Sequence, residues 1–202
     1  MTEDTRQLFL DSARRQFASR GFYGTSLANI ADEIGLTKQA LLHHFGNKEK
    51  LYGEILKAIS HRMLDAVTAA REQHGPAERQ LEAALLNIYT LTATQPEDTR
   101  IIVRELLDVE RRTEAIHSWY LRPFLDALVS MIRQLPSRGR TSPREALALV
   151  YPLLGAMNYL VVSEVVLAEM YGRPTYRHLQ ARFPDQLREQ VRNLVNGLAT
   201  GA

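Results

Sequence analysis

The chain has no cysteine. Disulfides, thiolate metal sites and cysteine nucleophiles are therefore excluded, and a reducing compartment fits, so a cytoplasmic location is expected. No secretory leader is expected. The N-terminal stretch MTEDTRQLFLDSARRQFASRG is charged and amphipathic, without the basic flank, continuous apolar run and small-residue cleavage site of a signal peptide. Long uncharged runs are almost absent. The exception, residues 146–163, continues for 18 residues without a formal charge, close to the length of a spanning helix. Pro152, Gly155, Asn158 and Ser163 interrupt it, and Glu164 and Glu169 follow at once. A helix buried on two sides, by its own domain and by a partner subunit, is the expected reading, and no membrane contact is expected. Strand-like alternation is lacking throughout. There is no Gly-x-Ser-x-Gly elbow, phosphate-binding glycine loop, His-Glu-x-x-His pair or dinucleotide fingerprint, so no catalytic residue, metal ligand or cofactor is assigned.

What is present is apolar content and helical periodicity. The 202 residues are 45% hydrophobic, enough for a substantial core. The net charge of +2 is too mild to mark a nucleic-acid protein by itself, but the charge is unevenly placed. Residues 35–50 hold Lys38, Lys48 and Lys50 against Glu49 alone, with His43 and His44 beside them.

The first helix is expected from about Thr5 to Arg20, with Leu10, Ala13 and Phe17 on one face and Gly21 as its stop. A short second helix carries Leu27, Ile30, Ala31 and Ile34, opened by Thr25 or Ser26 and closed by Gly35. Thr37 caps a third helix of barely two turns reaching Phe45, and Asn47 opens a long fourth helix with Leu51, Ile55, Ile59, Met63 and Val67. Beyond Pro76 the pattern predicts helices at roughly 77–94, 97–109, 113–134, 142–171 and 184–198, separated where proline and glycine cannot continue a helix. The expected fold class is all-α: a three-helix domain, residues 1–50, followed by a larger helical-bundle domain, residues 51–202.

Two short helices joined by a glycine turn are the arrangement that places a recognition helix in the major groove of DNA. Gly35 permits the turn, and Leu27, Ile30, Ile34, Leu36 and Leu41 can fix the angle between the helices. The residues between those anchors, Thr37, Lys38, Gln39, His43 and His44, face outward and can bond bases or phosphates. Adjacent histidines on a helix point about 100° apart, and no third ligand lies at a suitable spacing, so the His43-His44 pair is not read as a metal site.

The run GFYGTSLANIADEIGLTKQALLHHFGNKEKLY, Gly21 to Tyr52, resembles the signature of the TetR family of helix-turn-helix regulators: a glycine-aromatic pair, Thr-Ser-Leu, Ile-Ala, Gly-Leu-Thr, a short helix ending His-Phe, then Asn-Lys-Glu and Leu-Tyr. The resemblance is strong over about the first 60 residues; further on it extends only to length, helical content and order. It implies that Lys38 and Gln39 reach base edges, and that Thr25, Ser26, Thr37, His43 and Lys48 touch phosphates. It also implies a departure, because the family usually has tyrosine where this chain has Leu42, so one backbone contact is missing or passes to His43.

A single helix-turn-helix buries little DNA, so a symmetric dimer on a palindromic site is expected, with half-sites about 34–36 Å apart or a longer equivalent. In the resembling family the last two long helices of each subunit form a four-helix bundle, which places the interface at about 142–171 and 184–198. Tyr89, Arg104, His117, Trp119, Tyr151, Met157 and Asn158 combine aromatic, flexible and polar groups that suit a pocket for a small apolar or amphipathic effector. Effector binding would shift the fourth helix and change the separation of the recognition helices, with repression as the family-based expectation. Two rivals stand beside this reading: a regulator with no small-molecule input, and a helical-bundle enzyme. Effector, operator and regulated genes are not legible in the sequence.

Overall fold

The computed structural model describes residues 3–108 and 120–196, and among these every regular element is helical. The helices are α1 (Glu3–Arg20), α2 (Leu27–Glu33), α3 (Lys38–Phe45), α4 (Lys48–Arg71), α5 (Ala77–Thr94), α6 (Pro96–Leu107), α7 (Arg122–Gln134), α8 (Pro143–Val162), α9 (Glu164–Tyr171) and α10 (Arg173–Asn196), with a 3-10 turn at Pro136–Arg138. The all-α expectation holds.

The described residues form two compact units, one within 3–61 and 95–120, the other within 62–94 and 121–196. The first is thus larger than the expected residues 1–50. It takes in the start of α4 and also α6, whose membership no local pattern announces. Phe9, Ala13 and Phe17 of α1 are buried at i, i+4 and i+8, as are Ile30, Ala31, Leu41, Phe45, Leu51 and Tyr52 on the apolar faces of α2, α3 and α4. Phe17 lies edge-on to Tyr52 at 4.8 Å and Phe9 edge-on to Phe45 at 6.3 Å.

In the second unit Val67, Leu81, Leu85, Ile88, Phe124, Leu128, Ile132, Val150, Leu154, Leu187 and Val191 make one continuous core across α4, α5, α7, α8 and α10. Here the structure departs from the expected helices in three places. The start of the helix expected at 113–134 lies mostly outside the described residues, and the described part begins at Arg122 after a turn. The helix expected at 142–171 breaks at Ser163, whose backbone sits at φ −86, ψ 0 and whose hydroxyl donates to the Tyr159 carbonyl at 2.6 Å, a side-chain bond that competes with the ladder. The last helix begins at Arg173 rather than at Pro184, and Pro184 lies inside it. Proline has no N–H for the carbonyl four residues back, that of Gln180. The Tyr89 hydroxyl supplies the missing donor at 2.8 Å. A tertiary contact thus carries the helix through a residue that would end it locally.

Helix α8 is long and apolar enough to cross a bilayer by length and composition, with 28% of its most apolar stretch buried inside the chain. Ala146, Val150, Leu154, Met157 and Val161 form its inner stripe, while Leu147, Tyr151 and Tyr159 stay exposed.

Candidate nucleic-acid interface

The site is built from three capped helix starts in the first unit. Ser26, in extended conformation, accepts a hydrogen bond from the Asn29 N–H at 3.0 Å and opens α2. Thr37 accepts from the Ala40 N–H at 3.2 Å and opens α3, and Asn47 accepts from the Lys50 N–H at 2.8 Å at the start of α4. Each cap satisfies an orphaned N–H and contributes about 1 kcal/mol. Gly35 takes φ +68 between α2 and α3, a left-handed conformation that a Cβ would strain. Ile30 and Leu41 are fully buried and lock the two helices, whereas Leu27, Ile34 and Leu36 are half-buried at the margin.

With that core fixed, the first turn of α3 faces solvent. Lys38 and Gln39 are exposed and have no hydrogen-bond or ion-pair partner among the described residues. Thr37 and His43 are exposed as well, and the Thr37 hydroxyl can still donate while its oxygen caps the helix. Lys48 lies at the start of α4 with its ammonium 4.5 Å from the centre of the Phe22 ring, a cation–π contact that holds it beside the α1–α2 turn.

Two residues expected at the interface are placed differently. The Thr25 side chain is 2% exposed and its hydroxyl donates to the Gly21 carbonyl at 2.8 Å, where it closes the turn after α1 instead of facing a phosphate. The His44 ring lies 5.8 Å from Phe9 and 6.1 Å from Phe45, with a buried Nε2. One step round the helix from His43 turns it toward α1. Leu42, where the resemblance implies tyrosine, is half-buried and offers only its carbonyl, which accepts from the Gly46 N–H at 2.8 Å.

The supports behind α2 were not foreseen. Glu33 accepts from Gln16 at 2.7 Å, from Ser12 at 3.1 Å and from Arg15 at 2.9 Å. Gln16 and Ser12 also donate to the Asn29 and Ile30 carbonyls, both at 3.0 Å. The Gln16 bond, opposed by burial and aided by Arg15 and Ser12, holds the Glu33 carboxyl below its usual pKa. Helix α6 braces α1 from elsewhere in the sequence. Arg14 pairs with Asp98 and Gln95, and Tyr52 donates to Glu105 at 3.0 Å.

Of the seven residues expected to line an effector pocket, five lie among the described residues. His117 and Trp119 lie outside the described residues. Arg104 donates to the Ala18 and Ser19 carbonyls at 3.2 and 2.9 Å, capping the end of α1 in the first unit. Tyr89 and Met157 belong to the core of the second unit, Asn158 is half-buried and Tyr151 is 49% exposed. Recesses among the described residues of the second unit include one of about 270 Å³ between α9 and α10 and one of about 490 Å³ where Ser137–Thr141 meets α8, both lined by other side chains.

Residues 9–55 match the family profile described as bacterial regulatory proteins, tetR family. The matched segment is the capped α2–turn–α3 arrangement with its supports. Over that segment the chain is similar to the TetR family. It is 35% identical over 65 residues to the HTH-type transcriptional repressor AcnR of Corynebacterium efficiens, covering 32% of this chain and 35% of that protein. It is 31% identical over 102 residues to the HTH-type transcriptional regulator RutR of Escherichia coli strain K12, covering 50% of this chain and 48% of that protein. The chain thus spans half or less of the length of these relatives. The likeness of fold runs further. The transcriptional regulator FadR of Bacillus subtilis, solved in complex with stearoyl-CoA, superposes with a TM-score of 0.67 at 14% identity, over 96% of this chain and 99% of that one.

Proposed function

We propose that this chain is a DNA-binding transcriptional regulator of the TetR type, a repressor that binds a palindromic operator as a cytoplasmic homodimer and is released by a small molecule. Residues 1–50 read the DNA and residues 51–202 dimerise and sense. The observation that carries this reading is the first turn of α3, where capped, rigidly supported backbone presents Lys38 and Gln39 to solvent. Lys38 and Gln39 contact base edges, while Ser26, Thr37, His43 and Lys48 contact phosphates. Thr25 and His44 leave the contact set because both face inward. The functional role is binding, with no catalytic step.

Dimerisation through the last two long helices is supported by apolar side chains that the single chain leaves bare. Tyr151 and Tyr159 of α8, and Val165, Val166, Met170 and Tyr171 of α9, are each about half exposed or more. Such a cluster is costly in water and fits an interface between copies. The stearoyl-CoA complex of FadR supports an amphipathic effector for this chain as well. Selection of bound duplexes from a random pool tests the reading: a palindrome is expected, and an asymmetric motif or no enrichment opposes it. Titration of stearoyl-CoA against the bound duplex then tests release.

A second reading, a regulator without small-molecule input, is favoured by one specific observation. Within the second unit, Tyr89 and Met157 are buried in the packed core, and the Tyr89 hydroxyl is spent on the Gln180 carbonyl. Operator affinity unchanged by acyl-CoA esters of every chain length tried would support it.

A further inference from the structure

The turn between α1 and α2 has a construction that holding the helices together does not explain. Gly21 takes φ +72, and a Cβ added at Gly24 would lie 2.4 Å from the Arg20 carbonyl oxygen, so the chain folds back tightly on the end of α1. The Thr25 hydroxyl closes the same turn on the Gly21 carbonyl at 2.8 Å. At its outermost point this rigid turn presents Tyr23, 70% exposed. The Tyr23 ring stands edge-on to Phe22 at 5.4 Å, and the Lys48 ammonium lies over that same Phe22 ring. The Tyr23 hydroxyl has no hydrogen-bond partner among the described residues. An aromatic side chain with two torsions, already held by its neighbour, loses little freedom when its hydroxyl meets a partner.

We propose that Tyr23 is a DNA-backbone contact whose hydroxyl donates to a phosphodiester oxygen beside the one held by Lys48. The inference rests on the DNA-binding reading above and extends its contact set to a turn that precedes the helix-turn-helix core. The partner is a phosphate rather than a base, because Tyr23 precedes α2 and stands by the cation at the start of α4, not on the first turn of α3. A neutral hydroxyl differs from a lysine in one measurable way: it replaces no counterion, so it adds affinity without adding salt dependence.

The test uses the full chain and a fluorescent duplex carrying the selected palindrome, with a random duplex of equal length, across a salt series. Tyr23→Phe keeps the ring against Phe22, and its melting curve checks that the fold is intact. The expected result is a loss of about tenfold for each duplex alike, with the slope of log affinity against log salt unchanged. Lys48→Ala, measured in parallel, weakens both duplexes and lowers the slope by about one for each phosphate it no longer neutralises. Binding by Tyr23→Phe within about twofold of the parent, while Lys48→Ala weakens binding, overturns the proposal and leaves the DNA-binding reading standing. A loss confined to the selected palindrome also overturns it, since that is the mark of base reading. If the parent binds neither duplex, the broader reading falls and Tyr23 falls with it.

Discussion

Tyr89→Phe isolates the contact that carries α10 through Pro184. The substitution removes one oxygen and keeps the ring, which packs 4.9 Å from Phe183 and is buried in the second unit's core. What disappears is the 2.8 Å bond to the Gln180 carbonyl, an acceptor that Pro184 cannot serve. A neutral hydrogen bond contributes about 1 kcal/mol net, and a half-buried carbonyl left unpaired raises the loss to about 1–2 kcal/mol. For a chain of this size that corresponds to a fall in Tm of about 2–8 °C. Urea denaturation should show a lower midpoint with an unchanged slope. The decisive arm is Pro184→Ala, which restores the N–H that the carbonyl lacks. In that background Tyr89→Phe should cost only a few tenths of a kcal/mol, giving a coupling of about 1 kcal/mol in a double-mutant cycle. An equal cost in both backgrounds would refute the argument. Burial also raises the Tyr89 pKa above 10.0. A raised folded value means stability that is complete below pH 10 and lost as pH rises through the folded value, so the parent should have an alkaline limb that Tyr89→Phe lacks.

Three further outcomes are expected. Arg104→Ala should uncap the Ala18 and Ser19 carbonyls at the end of α1 and lower stability by about 1 kcal/mol in denaturant titrations. If Arg104 were an effector ligand instead, stability would hold and effector response would change. Glu33→Gln should weaken the tie between α1 and α2 by under about 1 kcal/mol, since the carboxylate is partly exposed. Because the Glu33 pKa is lowered in the fold, that contribution is present above about pH 4.5 and disappears as pH falls through the folded value, so parent and variant should converge in acid. Gln39→Ala should relax base preference while Lys48→Ala weakens all sequences alike, measured by competition between selected and random duplexes. Equal losses on both for Gln39→Ala would remove Gln39 from the base-reading set.

The N-terminal elements were legible in the sequence because their determinants are local. Ser26, Thr37 and Asn47 cap the helices they precede, Gly35 makes the turn, and the spacing of Ile30, Ala31 and Leu41 gives the buried faces. Two residues expected at the interface turn inward for a local reason as well. Thr25 competes for a backbone carbonyl, and His44 lies one position round the helix from the exposed His43. The rest depended on long-range contacts. That α6 belongs with α1 rests on Arg14, Asp98 and Arg104, charged residues whose partners lie some 80 positions away. That α10 starts at Arg173 rests on Tyr89, which is 91 positions from Gln180. No periodicity encodes such pairings.

The central claim is that α3 reads sequence from a dimer, and the ratio of two affinities at one salt concentration tests it most directly. Fluorescence anisotropy of the full chain should give binding at least about a thousandfold tighter to the selected palindrome than to a random duplex, with two protomers on the palindrome. Lys38→Ala should reduce that ratio. A ratio near one for the parent chain, whatever its absolute affinity, would contradict the account.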